Sequence, residues 1–306
     1  ERIAKVYKIG KEITEENCKI GYTGSSDNKD DTSSSGGNGE SGGETIKVIC
    51  KRATTLHTEE CTQTNSNYYC SGQGLSGKTI TYGNLGTKGT LASGDALDCD
   101  VNGDGTYDST TERFYYVSDY FNTSTKAFEN DTAVLIYYNS VVLGEVKQGV
   151  CAYDTLINYG YNGPVTAVVH LPKISQWSNV NLKNNKRAIL TEIGTDNVKE
   201  KKLPNAFNYE NYAARFLTTQ EVQKACNLST VSKISGEINS CNYLLENTGY
   251  ASYNPNGYML ENYSTEAEAW NWVIDGTYVG YMSGPVSSSQ YSVRPAIEVS
   301  KINIDY

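Results

Sequence analysis

Histidine is scarce in this chain, occurring only at His57 and His170. No Lys or Arg stands between Ile234 and Val293, and no cysteine follows Cys241. No two cysteines form a C-x2-C pair. Phe occurs 5 times and Met twice, against 25 Tyr. No stretch approaches the roughly 18 apolar residues of a membrane span. Each shortage excludes something. A Ser-His-Asp or Cys-His site needs a histidine oriented by an acid. His170 sits in an apolar run before Pro172 and reads as a structural residue, and His57 has no matching ligand set around it. Zinc ribbons need close cysteine pairs, so that chemistry is unsupported. A net charge of −9 repels phosphate backbones, which argues against nucleic acid and anionic membrane as partners. The reading is therefore of a non-enzyme. The chain opens at Glu1 with no signal-peptide pattern, which leaves room for a leader or anchor upstream.

What is present points outside the cell. The 306 residues hold eight cysteines, an even number without zinc spacing, which favours disulfides and an oxidising location. Cys61 and Cys70 close a short loop, Cys18 and Cys50 flank a Gly/Ser-rich stretch at 24–43, and Cys226 and Cys241 bracket the end of an expected helix. These three pairings are expectations among the 105 connectivities that eight cysteines allow. N-x-S/T triplets stand at Asn122, Asn130, Asn227 and Asn262. Residues 1–95 read as a Cys-rich N-terminal region, with 24–43 as a flexible loop too poor in apolar residues to offset its ordering entropy.

A strand-like start, Ile3–Ile9, opens the chain. Further along, the clearest strands are 113–118 (RFYYVS) and 133–138 (AVLIYY), rich in aromatic and β-branched residues. The apolar run in 163–172 fits a strand or a short helix, and 186–192 (KRAILTE) another short element. Thr218 with Glu221 three residues later is a capping box, so a helix is expected from there to Cys226. Before these strands, Asp100-Val-Asn-Gly-Asp-Gly-Thr-Tyr-Asp places Asp100, Asn102, Asp104 and Asp108 at positions 1, 3, 5 and 9, with Gly105 at position 6. That is the front of an EF-type calcium loop. Position 12 is Thr111, and Glu112 comes one later. The alternative is a polar turn that holds nothing.

The segment from Tyr250 to Lys301 divides in two. Its end, Tyr291–Val299, reads as a single strand. Its front is crowded with Tyr, Trp, Asn, Ser and Gly, the mixture by which binding loops combine rigid aromatic area with adaptable hydrogen bonds. The candidate ligand face is 253–290. Its anchors are Tyr258, Tyr263, Trp270, Trp272, Tyr278 and Tyr281. Its polar contacts are Glu261, Asn262, Asn271, Asp275, Ser287, Ser288, Ser289 and Gln290. Trp270 and Trp272, two apart, share a side in a strand and are both core or both surface.

Ala-Arg-Phe-Leu-Thr-Thr-Gln-Glu-Val (214–222) resembles the strand-to-helix signature RLPTxxEW of formylglycine-generating-enzyme-like, C-type-lectin-fold domains, and Tyr291-Ser-Val-Arg-Pro-Ala-Ile-Glu-Val resembles their closing strand. Cys241-Asn-Tyr-Leu-Leu-Glu-Asn-Thr and Gly257-Tyr-Met-Leu-Glu-Asn are similar to patterns in pilin-like surface proteins of gut Firmicutes, with Met259 where Trp is usual. The resemblance implies an α+β, C-type-lectin-like domain over 96–306: two helices beside a mixed twisted sheet with long loops. It also implies a bacterial surface location, reached through an N-terminal anchor upstream. The variable proteins of diversity-generating retroelements share that fold and display diversified residues before the last strand. The implied function is binding or adhesion to a protein or glycan on another cell or a phage. The alternative is a structural subunit of a pilus-like filament that associates with itself. Formylglycine-generating enzymes use a C-terminal cysteine pair, which is missing here. Asn254-Pro255-Asn256 and Trp270-Asn271-Trp272 resemble in part the triplets through which C-type lectins hold calcium and sugar; neither has the full ligand set. Calcium is the one cofactor the sequence suggests.

Overall fold

The computed structural model describes residues 6–8, 11–13, 47–60, 77–147, 165–188, 206–228, 239–246, 257–263, 270–275, 278–283 and 290–306. Its strands are β1 (Val6–Lys8), β2 (Lys11–Ile13), β3 (Cys50–Arg52), β4 (Thr58–Glu60), β5 (Thr79–Thr81), β6 (Ala96–Cys99), β7 (Arg113–Asn122), β8 (Ala127–Tyr137) and β9 (Val142–Lys147). There follow β10 (Lys186–Ala188), β11 (Ala206–Asn208), β12 (Gly257–Tyr263), β13 (Trp270–Asp275), β14 (Tyr278–Ser283), β15 (Gln290–Val293), β16 (Ala296–Ser300) and β17 (Ile304–Asp305). One α-helix, α1 (Thr219–Cys226), stands among the described residues, with short 3-10 segments at Val165–His170, Asn239–Leu245 and Lys301–Asn303. The fold is α+β and mostly sheet. The expected second helix does not appear among the described residues.

Two larger sheets carry the molecule, with strand orders β16-β8-β7-β6-β3-β17 and β14-β13-β12-β15-β9. In the first, the β7–β8 hairpin is the spine. Residues alternate sides along a strand, so its apolar residues divide between two cores. Tyr115, Val117, Tyr120, Val134 and Ile136 face one; Phe114, Tyr116, Ala133 and Leu135 face the other. The first core is completed by Leu217 and Val222 around α1, by Leu244 and by Tyr258 and Leu260 of β12. The second is closed by Val180, Ala213, Ala214, Ile297 and Ile304. A sheet covered on both faces needs long apolar runs rather than alternation, which is why RFYYV and AVLIY were legible as strands. Each large side chain so buried contributes about 1.5–3 kcal/mol.

The helix starts where the capping box places it. The Thr218 hydroxyl accepts from the Glu221 N–H at 3.2 Å, and the Glu221 carboxylate accepts from the Thr218 N–H at 2.9 Å. Val222 and Cys226 face the core. Asn227 ends the helix in the left-handed region, φ 52°, a conformation asparagine tolerates better than most. The 163–172 run resolves in favour of the short helix, a 3-10 turn.

Three expectations are corrected. Tyr291–Val299 is two strands, in different sheets: β15 pairs with β9 and β12, β16 with β8. Pro295 lacks an N–H and cannot continue the ladder, while Arg294 turns inward. Its guanidinium donates to the carbonyls of Tyr137 (2.6 Å), Leu244 (2.9 Å) and Tyr243 (2.8 Å). The boundary near residue 95 does not separate two units, because β3 lies inside the large sheet between β6 and β17. Cys50 is bonded to Cys99, directly opposite it in the β3–β6 register, and so not to Cys18. The Cys226–Cys241 bond is present. Cys61 and Cys70 lie outside the described residues, as does the stretch 24–43.

Candidate functional site

The candidate ligand face falls on the second sheet, and the structure divides it. Central β12 is consumed by the core. Tyr258 is 1% exposed, donates its hydroxyl to the Leu244 carbonyl at 3.0 Å, and has the Arg294 guanidinium over its ring. Glu261 is fully buried against Arg187, with both carboxylate oxygens within 3.0 Å of its Nε. Asn262 is fully buried; its Oδ1 accepts from the Thr219 N–H at 2.8 Å and so satisfies an early N–H of α1. These three are framework, not ligand contacts. Burial with every polar tip spoken for leaves nothing to offer a partner.

β13 pairs antiparallel with β14, the last strand of the sheet among the described residues, with Trp270 opposite Ser283, Asn271 opposite Met282, Trp272 opposite Tyr281 and Asp275 opposite Tyr278. Period-two alternation assigns positions 270, 272 and 281 to one face of the hairpin and 271, 275 and 278 to the other. Tyr263 ends β12 opposite Asn271, and Gln290 begins β15 opposite Lys147. Ser287, Ser288 and Ser289 lie outside the described residues.

Behind β12 sits a buried charge network that the sequence reading missed. Arg215 grips Glu221 through two nitrogens, at 2.9 and 2.6 Å, and reaches Glu298 at 2.5 Å through Nε. Arg187 joins Glu261 and lies 3.8 Å from Glu298, and the Tyr209 hydroxyl donates to Glu261 at 3.1 Å. All five charged groups are buried. Burial works against an ionised Glu221, but the adjacent Arg215 charge outweighs it and holds that carboxyl below its usual range. For Glu261 burial wins over Arg187, and its carboxyl is pushed up.

A second unforeseen group joins segments far apart in the chain. His57 Nδ1 lies 2.8 Å from Glu246 Oε1, and Nε2 lies 2.7 Å from the Ser109 carbonyl. Both partners are acceptors, so both ring nitrogens donate and the ring is held as an imidazolium. Its pKa is raised, chiefly by the hydrogen bond to Glu246, against burial and the Arg113 charge; the edge of the Tyr138 ring packs beside it. A base with both nitrogens so engaged is a clamp rather than a catalyst. The folded chain binds this proton more tightly than the unfolded one. The clamp's stabilisation is therefore full below about pH 6.5 and is lost as pH rises through the raised value. The melting temperature should fall as pH rises above about 6.5 and through the raised value, and His57→Gln should flatten that decline. Equal slopes in the two proteins would refute the clamp.

The expected calcium ligands stand in one loop. Asp100 is buried, its Oδ1 accepting from the Gly103 N–H at 2.8 Å and its Oδ2 from the Gly105 N–H at 3.2 Å. Asn102, Asp104 and Asp108 are exposed and each accepts from the N–H two residues on, at 2.8, 2.8 and 2.7 Å. Among the described residues no three His, Cys, Asp or Glu side chains stand together as a metal-holding group.

No family model matches the chain, and no curated protein or solved structure is significantly similar to it. Among the described residues no helix is long and apolar enough to cross a membrane. The two disulfides among the described residues are compatible with an oxidising compartment.

Proposed function

We propose that this chain is an extracellular binding protein that presents the β13–β14 hairpin, on a C-type-lectin-like scaffold at a bacterial surface, to a protein or glycan ligand. The observation that carries the reading is the place of the aromatic-bearing β13–β14 hairpin at one end of the second sheet. Next to it β12 spends Tyr258, Glu261 and Asn262 on the core; in the hairpin itself Trp272 stands opposite Tyr281 and Asp275 opposite Tyr278, with β14 the end strand of the sheet among the described residues. Aromatic and polar residues on a braced hairpin lose little entropy on binding. The stretch 234–293 carries six carboxylates and no Lys or Arg, which favours neutral or cationic ligand surfaces. The resemblance of Arg215–Glu221 and Arg294-Pro295 to lectin-fold signatures supports the scaffold, and both motifs serve it as buried braces. Binding rather than catalysis is favoured because the His57–Glu246 pair has its other ring nitrogen closed off by the Ser109 carbonyl.

The test is flow cytometry of labelled chain on intact cells, together with a glycan array. Trp272→Ala with Tyr281→Ala should weaken binding at least about thirtyfold, the loss of one strong hot spot, with the melting temperature held. Undiminished binding by that variant would sink the reading. A filament subunit is the second reading, favoured by β14 standing at a sheet edge. Concentration-dependent polymerisation of the isolated chain, abolished by Pro at Tyr281, would select it instead.

A further inference from the structure

The geometry points to a calcium site in the loop from Asp100 to Glu112, closed by Glu112 at position 13 rather than by position 12, and separate from the proposed ligand face. An EF-type loop draws side-chain oxygens from positions 1, 3 and 5, a carbonyl from position 7, a further oxygen at position 9 and a bidentate carboxylate at its end. Asp100, Asn102, Asp104, Thr106 and Asp108 supply the first five. Glu112 supplies what the sequence alone left missing.

Glu112 is the independent observation. It is 4% exposed, and its Oε1 has no hydrogen-bond partner. Its Oε2 accepts from the Asp108 N–H at 3.2 Å. The Val101 N–H also stabilises the carboxylate, while the charges of Asp104 and Asp100 oppose it. The side chain is thus turned back onto the loop, with one oxygen on the Asp108 N–H and the other unpartnered. Like charges and desolvation both oppose an acid buried there, and the backbone N–H groups beside it leave its Oε1 without a partner. A divalent cation removes both penalties at once.

Both ends of the loop are anchored. Before the ligands, the Asp100 carbonyl accepts from Asn179 Nδ2 at 2.7 Å and the Asn102 carbonyl from Ser178 Oγ at 2.7 Å. After them, three successive carbonyls are tied: Ser109 by His57, Thr110 by the Tyr138 hydroxyl at 2.6 Å and Thr111 by the Tyr137 hydroxyl at 2.9 Å. Asp100 and Glu112 are therefore fixed, while the exposed Asp104 and Asp108 swing inward to complete six or seven oxygens. That number and the flexible middle suit calcium rather than magnesium, which demands strict octahedral geometry and gives up water reluctantly.

The experiment uses the full chain, stripped with EDTA and titrated with CaCl2 or MgCl2. Melting is followed in parallel with terbium luminescence sensitised by Tyr107, which lies within the loop. Calcium should raise the melting temperature by about 5 °C at saturation and displace the terbium signal; magnesium should do neither. Glu112→Gln and, because its side chain is exposed and its loss cannot unfold the chain, Asp104→Asn should each weaken calcium at least about tenfold. No calcium-dependent melting shift and no displaceable terbium emission would overturn the site. So would an equal response to magnesium, or calcium affinity unchanged in both variants.

Discussion

Arg215→Ala should destabilise the fold by about 3–5 kcal/mol, the cost of leaving buried carboxylates without their cation. Arg215 holds Glu221 through two hydrogen bonds, Glu298 through a third and the Phe216 carbonyl through a fourth at 2.8 Å. Without it, Glu221, Glu261 and Glu298 share only Arg187. The damage spreads, because Glu221 also closes the capping box of α1 and accepts from the Phe121 N–H at 3.2 Å, tying the helix to β7. For a domain of ordinary stability, about 5–15 kcal/mol, such a loss consumes much of the total. Urea unfolding measures it. The charge argument makes a further demand: Arg215→Met combined with Glu298→Met should cost less than the two single changes added, since a well-packed apolar pair replaces an ion pair at little loss. An Arg215→Ala protein within about 1 kcal/mol of the native one would show that the network is incidental to stability.

That network also marks where sequence reading stops. The capping box was legible because its two residues lie three apart, and β7 and β8 because a doubly buried strand is a continuous apolar run. Arg187 and Glu261 lie 74 residues apart, and His57 and Glu246 lie 189 apart; only the fold brings them together, and no local spacing announces it. Composition misled at β12. A Tyr-, Glu- and Asn-bearing stretch beside Trp and Ser reads as a binding surface, yet Tyr258, Glu261 and Asn262 use their polar tips to satisfy buried carbonyls, arginines and a helix start. The same chemistry serves a wet surface and a satisfied core. The break at Arg294-Pro295 had a signal, the missing proline N–H, but the apolar alternation on either side overrode it. Glu112 was read as one place too late for an EF-type loop because spacing alone was weighed; its burial inside the loop is what spacing does not contain.

Removing the Cys50–Cys99 bond, by Cys50→Ala with Cys99→Ala, should cost about 4 kcal/mol in the chain-entropy model, given the separation of 49 residues. The Cys226–Cys241 bond, with a separation of 15, should cost about 3 kcal/mol by the same reasoning. Loop length is only part of the difference. Cys50 and Cys99 join β3 to β6, and β3 is also where the C-terminal β17 docks, Ile304 opposite Cys50. Loosening β3 therefore frees the end of the chain and unseats Asp100, whose N–H donates to the Ile49 carbonyl at 2.9 Å. Non-reducing peptide mapping should recover the Cys50 peptide joined to Cys99, and Cys18→Ser should leave that bond in place. Thermal melting of the two double alanine variants should rank the Cys50–Cys99 loss as the larger. The reverse ranking would mean that the helix end, not the β3–β6 junction, is the weaker seam of the fold.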